Sequence, residues 1–492
     1  MSEAVSGYLP SQVSFEIARR PNETTSGLLV LVTQTAQEIG FFETLTRDLN
    51  LRMKVVRYSH QNKLATLVAS LVVGCRNTLD IQTKLVPDVV AAGQFGMARF
   101  PDQSQINSFI RALGTDQVTA LEKAHQQLLN KNSRAGDRAN WLELPSGRRV
   151  LPLDLDQTPL VTRSTRATGV AKGHMGRKRG QVGYKKSVAL LGGDVREVLW
   201  QRLEPGNTHG QEALPIVLER LAALGEALGV RAEDTLVRGD SQYGALEAVR
   251  QCQAARRHYL VKGYTPLTAR KLADSLPETA VWTFRGKDSN GSSLWLTDLG
   301  EVPLSADHEP ADVPPVRTRV VLLVRVGFHK RRKRGKGWRE TVTEKVVSHE
   351  HYLTDLSAEE LRMEEVIALY NGRETEESFF RAEQDAFGAD HLRTYKGEGE
   401  AAFLWILAST VNLLRWTQAR RFQGTEIERA GLTKLVTQVM QIPATIIEQA
   451  GRWIVLLPET LRLARHLVNA WIERYHQLPL PFAPDTTAPN TT

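Results

Sequence analysis

The chain has 492 residues, 41% of them hydrophobic and 24% charged, with a formal net charge of +8. That is the composition of a globular protein with room for two to four domains at roughly 100–200 residues each, and its basic balance favours an anionic partner. Cys75 and Cys252 are too few and too far apart for a disulfide framework or a zinc cluster, and they fit a reducing cytosol. MSEAVSGYLP lacks the pattern of a signal peptide, and no stretch approaches the roughly 18 apolar residues of a membrane span. A soluble, cytoplasmic protein with no membrane partner is expected.

From Ser26 to about Asn130 the apolar spacing is helical, as in LLVLVTQTAQEIGFFETL and HQNKLATLVASLVVGC. FPDQSQINSFIRAL predicts a loop feeding a helix, with Asp102 or Ser104 as N-cap. Residues 1–140 are therefore assigned to a helical N-terminal region ending in the polar linker NKNSRAGDRAN. Strand patterning follows in RRVLPLDLDQT, KSVALLGG and REVLWQRLEPGN. Next come an amphipathic helix over 210–229, the strand DTLVRGD, a helix in GALEAVRQCQAARR and the strand HYLVKG. Three strands, helix, strand, helix, strand is the order of a ribonuclease-H-like α/β core, whose first part is placed at 141–263. Residues 264–356 are rich in Val, Thr and aromatics and predict a β-rich insertion. A helical region over 357–422 follows, with Ser357 and Glu360 at capping-box spacing and a break at Asn371–Gly372. A C-terminal helical region at 423–477 and a Pro- and Thr-rich disordered tail at 478–492 complete the chain.

Two strands carry an Asp near their ends: Asp156, with Asp154 on the same strand face two residues earlier, and Asp240. Strand ends are where open α/β sheets place ligands. On a continuous helix Tyr370, Arg373 and Glu377, at i, i+3, i+7, share one face, whereas a break at Gly372 takes Tyr370 out of that alignment. Three converging carboxylates stay ionised only around a cation, and an all-oxygen set suits Mg²⁺, with Mn²⁺ as a substitute.

VLPLDLDQTPL, LEPGN, LVRGDSQYG and YNGRETEESF, in this order, resemble the DDE transposases of bacterial insertion sequences. Within these the chain is similar to the cut-and-paste group with a Tyr-Arg-Glu-Lys signature and a β-rich insertion. GCRNTLDIQTKLVPD, FPDQSQINSFIRAL and QIPATIIEQAGRWIVLLP extend the likeness to about residues 60–475. The resemblance implies that Asp156, Asp240 and Glu377 bind metal and catalyse cleavage and joining, with Asp154 competing for the first place. It also implies terminal inverted repeats and target DNA as double-stranded DNA partners, a homodimer in the DNA complex, and a bacterial, nucleoid-associated location when DNA-bound. The signature Lys falls on Gln384, with Arg381 one helical turn after Glu377 as a replacement phosphate contact.

HKRRKRGKGWR packs seven Lys or Arg into eleven residues, among them Lys330, Arg331, Arg332, Lys333 and Arg334, with Trp338 beside them. GHMGRKRGQVGYKK, holding Arg177, Lys178 and Arg179, reads as a second basic loop. Both suit a phosphate backbone, and such binding weakens with salt. Tyr370 and Arg373 are further candidate phosphate contacts, a planar guanidinium matching phosphate oxygens. Packing and an Arg373–Glu377 ion pair satisfy the same spacing. Three readings follow: an active transposase, a decayed or domesticated DNA-binding protein, and a nuclease that cuts without joining.

Overall fold

A computed structural model describes residues 22–477 apart from 54–56, 176–177, 194, 307–309, 311, 336–337 and 450–451. Side chains are described except at 174, 178–179, 329–342, 374–377, 452 and 472–477. The tail at 478–492 and Arg177 therefore lie outside the described residues.

The N-terminal helices include α1 (Leu29–Glu38), α2 (His60–Val72), α3 (Gln103–Ala112) and α4 (Thr115–Asn132). Asp102 caps α3: its carboxylate accepts the N–H of Gln105 at 3.0 Å, while Ser104 donates to the same carboxylate. The strands β1 (Arg149–Val161), β2 (Ala171–Met175), β3 (Lys178–Leu191) and β4 (Val198–Pro205) come next. Then follow α5 (Leu214–Leu228), β5 (Thr235–Gly239), α6 (Leu246–Ala254) and β6 (His258–Lys262). Gly229 ends α5 at φ +67°, the left-handed conformation a glycine adopts without cost.

These strands lie in one mixed sheet in the order β4-β3-β1-β5-β6, with β3 antiparallel to β1 and β5 and β6 parallel to it. The segment expected as a basic loop is instead the β2–β3 hairpin, which prolongs β3 beyond the sheet. Its Gly-rich, alternating sequence supports strand pairing that its charge obscured.

The β-rich insertion continues the same sheet. It contains α7 (Pro266–Asp274), β7 (Thr283–Lys287), β8 (Ser293–Leu304), β9 (Val316–Gly335) and β10 (Trp338–Thr354), added in the order β10-β9-β8-β7 onto β6. The insertion is β-rich as expected and opens on one helix, α7, which Pro266 begins and Thr265 caps. Beyond the Ser293–Val326 pair β8 no longer accompanies β9, yet β9 and β10 stay paired to Gly335–Trp338. The two-stranded ribbon from Gly327 to Gly335 extends about 30 Å at the usual rise per residue.

The chain then forms α8 (Met363–Asn371), a 3-10 turn at Gly372–Glu374, α9 (Thr375–Phe387) and α10 (Gly397–Arg421), so the expected break at Asn371–Gly372 is present. The Ser357–Glu360 capping box forms as well, and Glu360 also binds Arg148 at 2.7 Å. Helix α10 is apolar on every side because it is buried on every side, against N-terminal helices and β4. Asn412 on α10 bonds both the N–H and the carbonyl of Val198, which satisfies the open edge of β4 with a side chain.

The C-terminal segment corrects a second expectation. Residues 423–477 were read as helical, but β11 (Ala444–Gln449) and β12 (Arg452–Leu456) form a hairpin before α11 (Arg462–Gln477). β11 also pairs with Glu23–Thr24, so the two ends of the described chain share one small sheet. Among the described residues no helix is long and apolar enough to cross a membrane.

Candidate active site

The site is built by register. β1 and β5 run parallel, with Asp154 opposite Arg238 and Leu155 opposite Gly239. Asp240 continues the extended chain one residue past β5, at φ −73° and ψ −169°. Asp156 and Asp240 therefore stand side by side, one strand spacing of about 4.8 Å apart. Their shared face follows from the pair two residues upstream. Asp154 and Arg238 bond to one another, and side chains two apart on a strand share a face. Both acids are half-buried. Backbone N–H groups orient them: Gln157 donates to Asp156 at 2.7 Å and Gln242 to Asp240 at 2.9 Å.

Asp154 has a different environment. Its carboxylate is fully buried and is gripped at both oxygens by Arg238, at 2.6 and 2.7 Å. A carboxylate committed to a buried bidentate ion pair is less open to a metal ion than the half-buried Asp156 two residues on.

Glu377 lies on α9, three residues into the helix, and its side chain is outside those described. The helix itself is anchored over the sheet. Lys186 of β3 forms an ion pair with Glu383 of α9, both 2% exposed, and its ammonium lies 5.4 and 5.6 Å from the Phe380 and Phe379 rings. Burial pushes the Glu383 carboxyl up, against the pull of Lys186. Thr158 of β1 pairs with Lys186, so the anchor sits two residues along from Asp156.

Tyr370 is in the core, edge-on to the Tyr352 ring at 5.0 Å. Arg373 caps that tyrosine, its guanidinium 5.0 Å from the ring centre and donating to the hydroxyl at 3.2 Å. The two residues therefore pack together, as the spacing allowed, and only Arg373 retains partial exposure. Arg381 is exposed on α9. Lys330–Arg334 lie on the outer end of β9 and Trp338 begins β10, at the far end of the ribbon, with side chains outside those described. Lys178 and Arg179 begin β3 and are likewise described by backbone alone.

Two charged residues escaped the sequence reading. Arg238 precedes Asp240 by two positions, as Asp154 precedes Asp156, and that repeated spacing was the available signal. Lys262 ends β6 beside Asp240, one register step beyond the Gly239–Val261 pair, and binds Glu350 at 3.1 Å. It places a cation in the same row as the two acids. The thiols are no part of the chemistry: burial pushes Cys75 and Cys252 each up to about 12.

Among the described residues no three His, Cys, Asp or Glu side chains gather closely enough to hold a metal ion. The donors that are described, two adjacent carboxylates, are hard oxygen ligands of the kind Mg²⁺ and Mn²⁺ take, so the site fits such an ion with one further carboxylate. Residues 22–479 match the family described as Transposase DDE domain group 1. None of the curated proteins matches the chain.

Proposed function

Because the chain belongs to the transposase DDE domain group 1 family, we propose that it cleaves the ends of an insertion sequence. It then joins the freed 3′-hydroxyl to target DNA by two-metal in-line phosphoryl transfer. The observation that carries this reading is the register that brings Asp156, inside β1 and not at the strand end the sequence suggested, next to Asp240, one residue past the end of the parallel strand β5. The β4-β3-β1-β5-β6 order, with β3 antiparallel to β1 and β5 parallel to it, supports a ribonuclease-H-like core.

Asp156, Asp240 and Glu377 are the proposed ligands of Mg²⁺, or of Mn²⁺ in its place. When bound, the metal supplies Lewis-acid activation of the attacking oxygen and neutralises charge on the phosphate. The chain's own groups orient the reaction. The Gln157 and Gln242 amides hold the two carboxylates, and α9 carries the third acid over them. Lys262, in register with Asp240, and Arg373, at the α8–α9 junction, are the proposed contacts for the flanking phosphates. The ribbon carrying Lys330–Arg334 and Trp338, the β2–β3 hairpin carrying Lys178 and Arg179, and Arg381 are the proposed basic surface for double-stranded DNA, to which Arg177, outside the described residues, adds charge. A homodimer holding paired terminal inverted repeats, working on the nucleoid in a bacterial cytoplasm, completes the proposal.

The test is cleavage of a labelled DNA carrying the element's ends, in Mg²⁺, by wild type and Asp240→Asn. The reading expects nicks at the element boundary from wild type, and end binding without cutting from the variant. Binding without cutting by wild type in both Mg²⁺ and Mn²⁺ would instead support the non-catalytic DNA-binding reading, which Gln384 at the signature Lys position favours. Gln384→Lys is then the first reversion to make. Nicks without joined product would point to the nuclease.

A further inference from the structure

The two strands that carry Asp156 and Asp240, and the helix that leads into the one carrying Glu377, meet at one side chain. Arg238, on β5, grips the Asp154 carboxylate of β1 with Nε and Nη2 at 2.6 and 2.7 Å. Its remaining nitrogen, Nη1, donates to the carbonyl of Leu369 at 2.8 Å, in the last turn of α8. That turn leads through Gly372 into α9, the helix of Glu377. Arg238 and Asp154 are 2% and 0% exposed. The packing leaves no slack. A methyl group at Gly192 would lie 2.4 Å from the Asp154 carboxylate and 3.0 Å from Nη2, and one at Gly372 would lie 3.2 Å from Nη1.

We propose that Arg238 is a positioning residue for metal binding, fixing β1, β5 and the α8–α9 junction so that Asp156, Asp240 and Glu377 are held at metal-ligating separation. The planar fork is what the task requires. One guanidinium can satisfy a bidentate carboxylate and a carbonyl in fixed directions, whereas a lysine ammonium offers a point charge on a flexible stem. Asp156 and Asp240 are each two residues, about 7 Å, from the clasp, so a shift there is delivered almost undiminished to the ligand pair. Partners behind metal ligands typically change metal affinity or activity by roughly 10–100-fold when removed. Mg²⁺ demands near-ideal octahedral geometry, and Mn²⁺ is the more tolerant ion.

This inference rests on the transposase reading for the identity of the three ligands, and its test separates the two. Mn²⁺ binding is measured by electron paramagnetic resonance on wild type, Asp240→Asn and Arg238→Lys, with melting temperature and end binding recorded for each. Arg238→Lys is expected to weaken Mn²⁺ binding roughly 10–100-fold while still binding DNA ends, and to lose more cleavage in Mg²⁺ than in Mn²⁺. An unchanged Mn²⁺ affinity in folded Arg238→Lys overturns the proposal, as does an equal loss of cleavage in the two metals. Should Arg238→Lys fail to fold, Gly372→Ala serves instead. It sits at an exposed junction with an ordinary helical φ of −56° and pushes Nη1 by a few tenths of an ångström without removing a charge. It is expected to raise the Mg²⁺ concentration for half-maximal cleavage at unchanged melting temperature, and wild-type metal dependence there overturns the proposal. Metal binding abolished by Asp240→Asn, but with no cleavage by wild type, would sink the transposase reading and leave the positioning role standing.

Discussion

Lys186→Met is the substitution that most directly tests how α9 is held over the catalytic face. It keeps the length and apolar stem of Lys186 between the Phe379 and Phe380 rings and removes only the ammonium. Glu383 is then left 2% exposed and without its cation, and its Oε1 already lacks a hydrogen-bond partner among the described residues. Stranding one member of a buried pair costs about 3–5 kcal/mol, because the survivor's desolvation is no longer offset. The pH dependence gives the argument a sign. Burial raises the Glu383 carboxyl even beside Lys186. A raised folded value means stability present at low pH and lost as pH rises, and removing Lys186 strengthens that trend. The deficit of Lys186→Met should therefore be largest near neutrality and shrink on acidification, as the carboxyl becomes neutral in both states. Urea titration of wild type, Lys186→Met and the double variant Lys186→Met/Glu383→Leu, at about pH 4.5 and about pH 7.5, measures this directly. The double variant should recover most of the loss, since an apolar pair of similar volume replaces the ion pair. A single-variant deficit below about 1 kcal/mol, or one equal at the two pH values, would refute the claim that this pair anchors the helix.

Two further outcomes follow from the packing. Gly192→Ala drives a methyl group to 2.4 Å from the Asp154 carboxylate, and overpacking of this kind should lower stability by about 1–3 kcal/mol in a denaturant titration. His125 is buried between Ser409 and the Val198 carbonyl, and burial pushes its imidazole down to about 4. A depressed histidine value means that the unfolded chain binds the extra proton first, so stability is lost as pH falls from about 6.5 towards about 4. Buried His351, also at about 4, adds to this, while buried Glu400, pushed up to about 7, opposes it. Comparing wild type with His125→Gln isolates the first contribution. The stability gap between them should narrow by at most about 3 kcal/mol on acidification across that window, and a gap independent of pH would count against a neutral buried imidazole.

The elements were legible where one period ran long enough to be read. The helices around Leu64, Leu221 and Phe403 and the strands around Leu153 and Val237 follow from apolar spacing alone, and Gly229 and Asp102 mark their ends by chemistry that sequence displays. What was not legible depended on partners distant in sequence. Residues 444–456 carry short apolar runs that suit helix or strand, and only pairing with each other and with Glu23–Thr24 decides for strand. The β2–β3 hairpin is likewise decided by partners: a side chain at Gly173 would strike the Gly206 carbonyl, and one at Gly206 would strike Met175 and the Ala171 carbonyl.

The site divides in the same way. Asp240 could be picked from a strand end, whereas β1 runs on past Asp156 to Val161, and the difference between Asp154 and Asp156 could not be read because the two share a strand face. The residue across from Asp154 is Arg238, 84 positions later. Asp154 meets a buried guanidinium, whereas Asp156 stands half-buried two residues further along the same strand face. On the proposed assignment, identical residues two positions apart on one strand take different roles through a single register, Leu155 with Gly239, which no local pattern in either segment specifies.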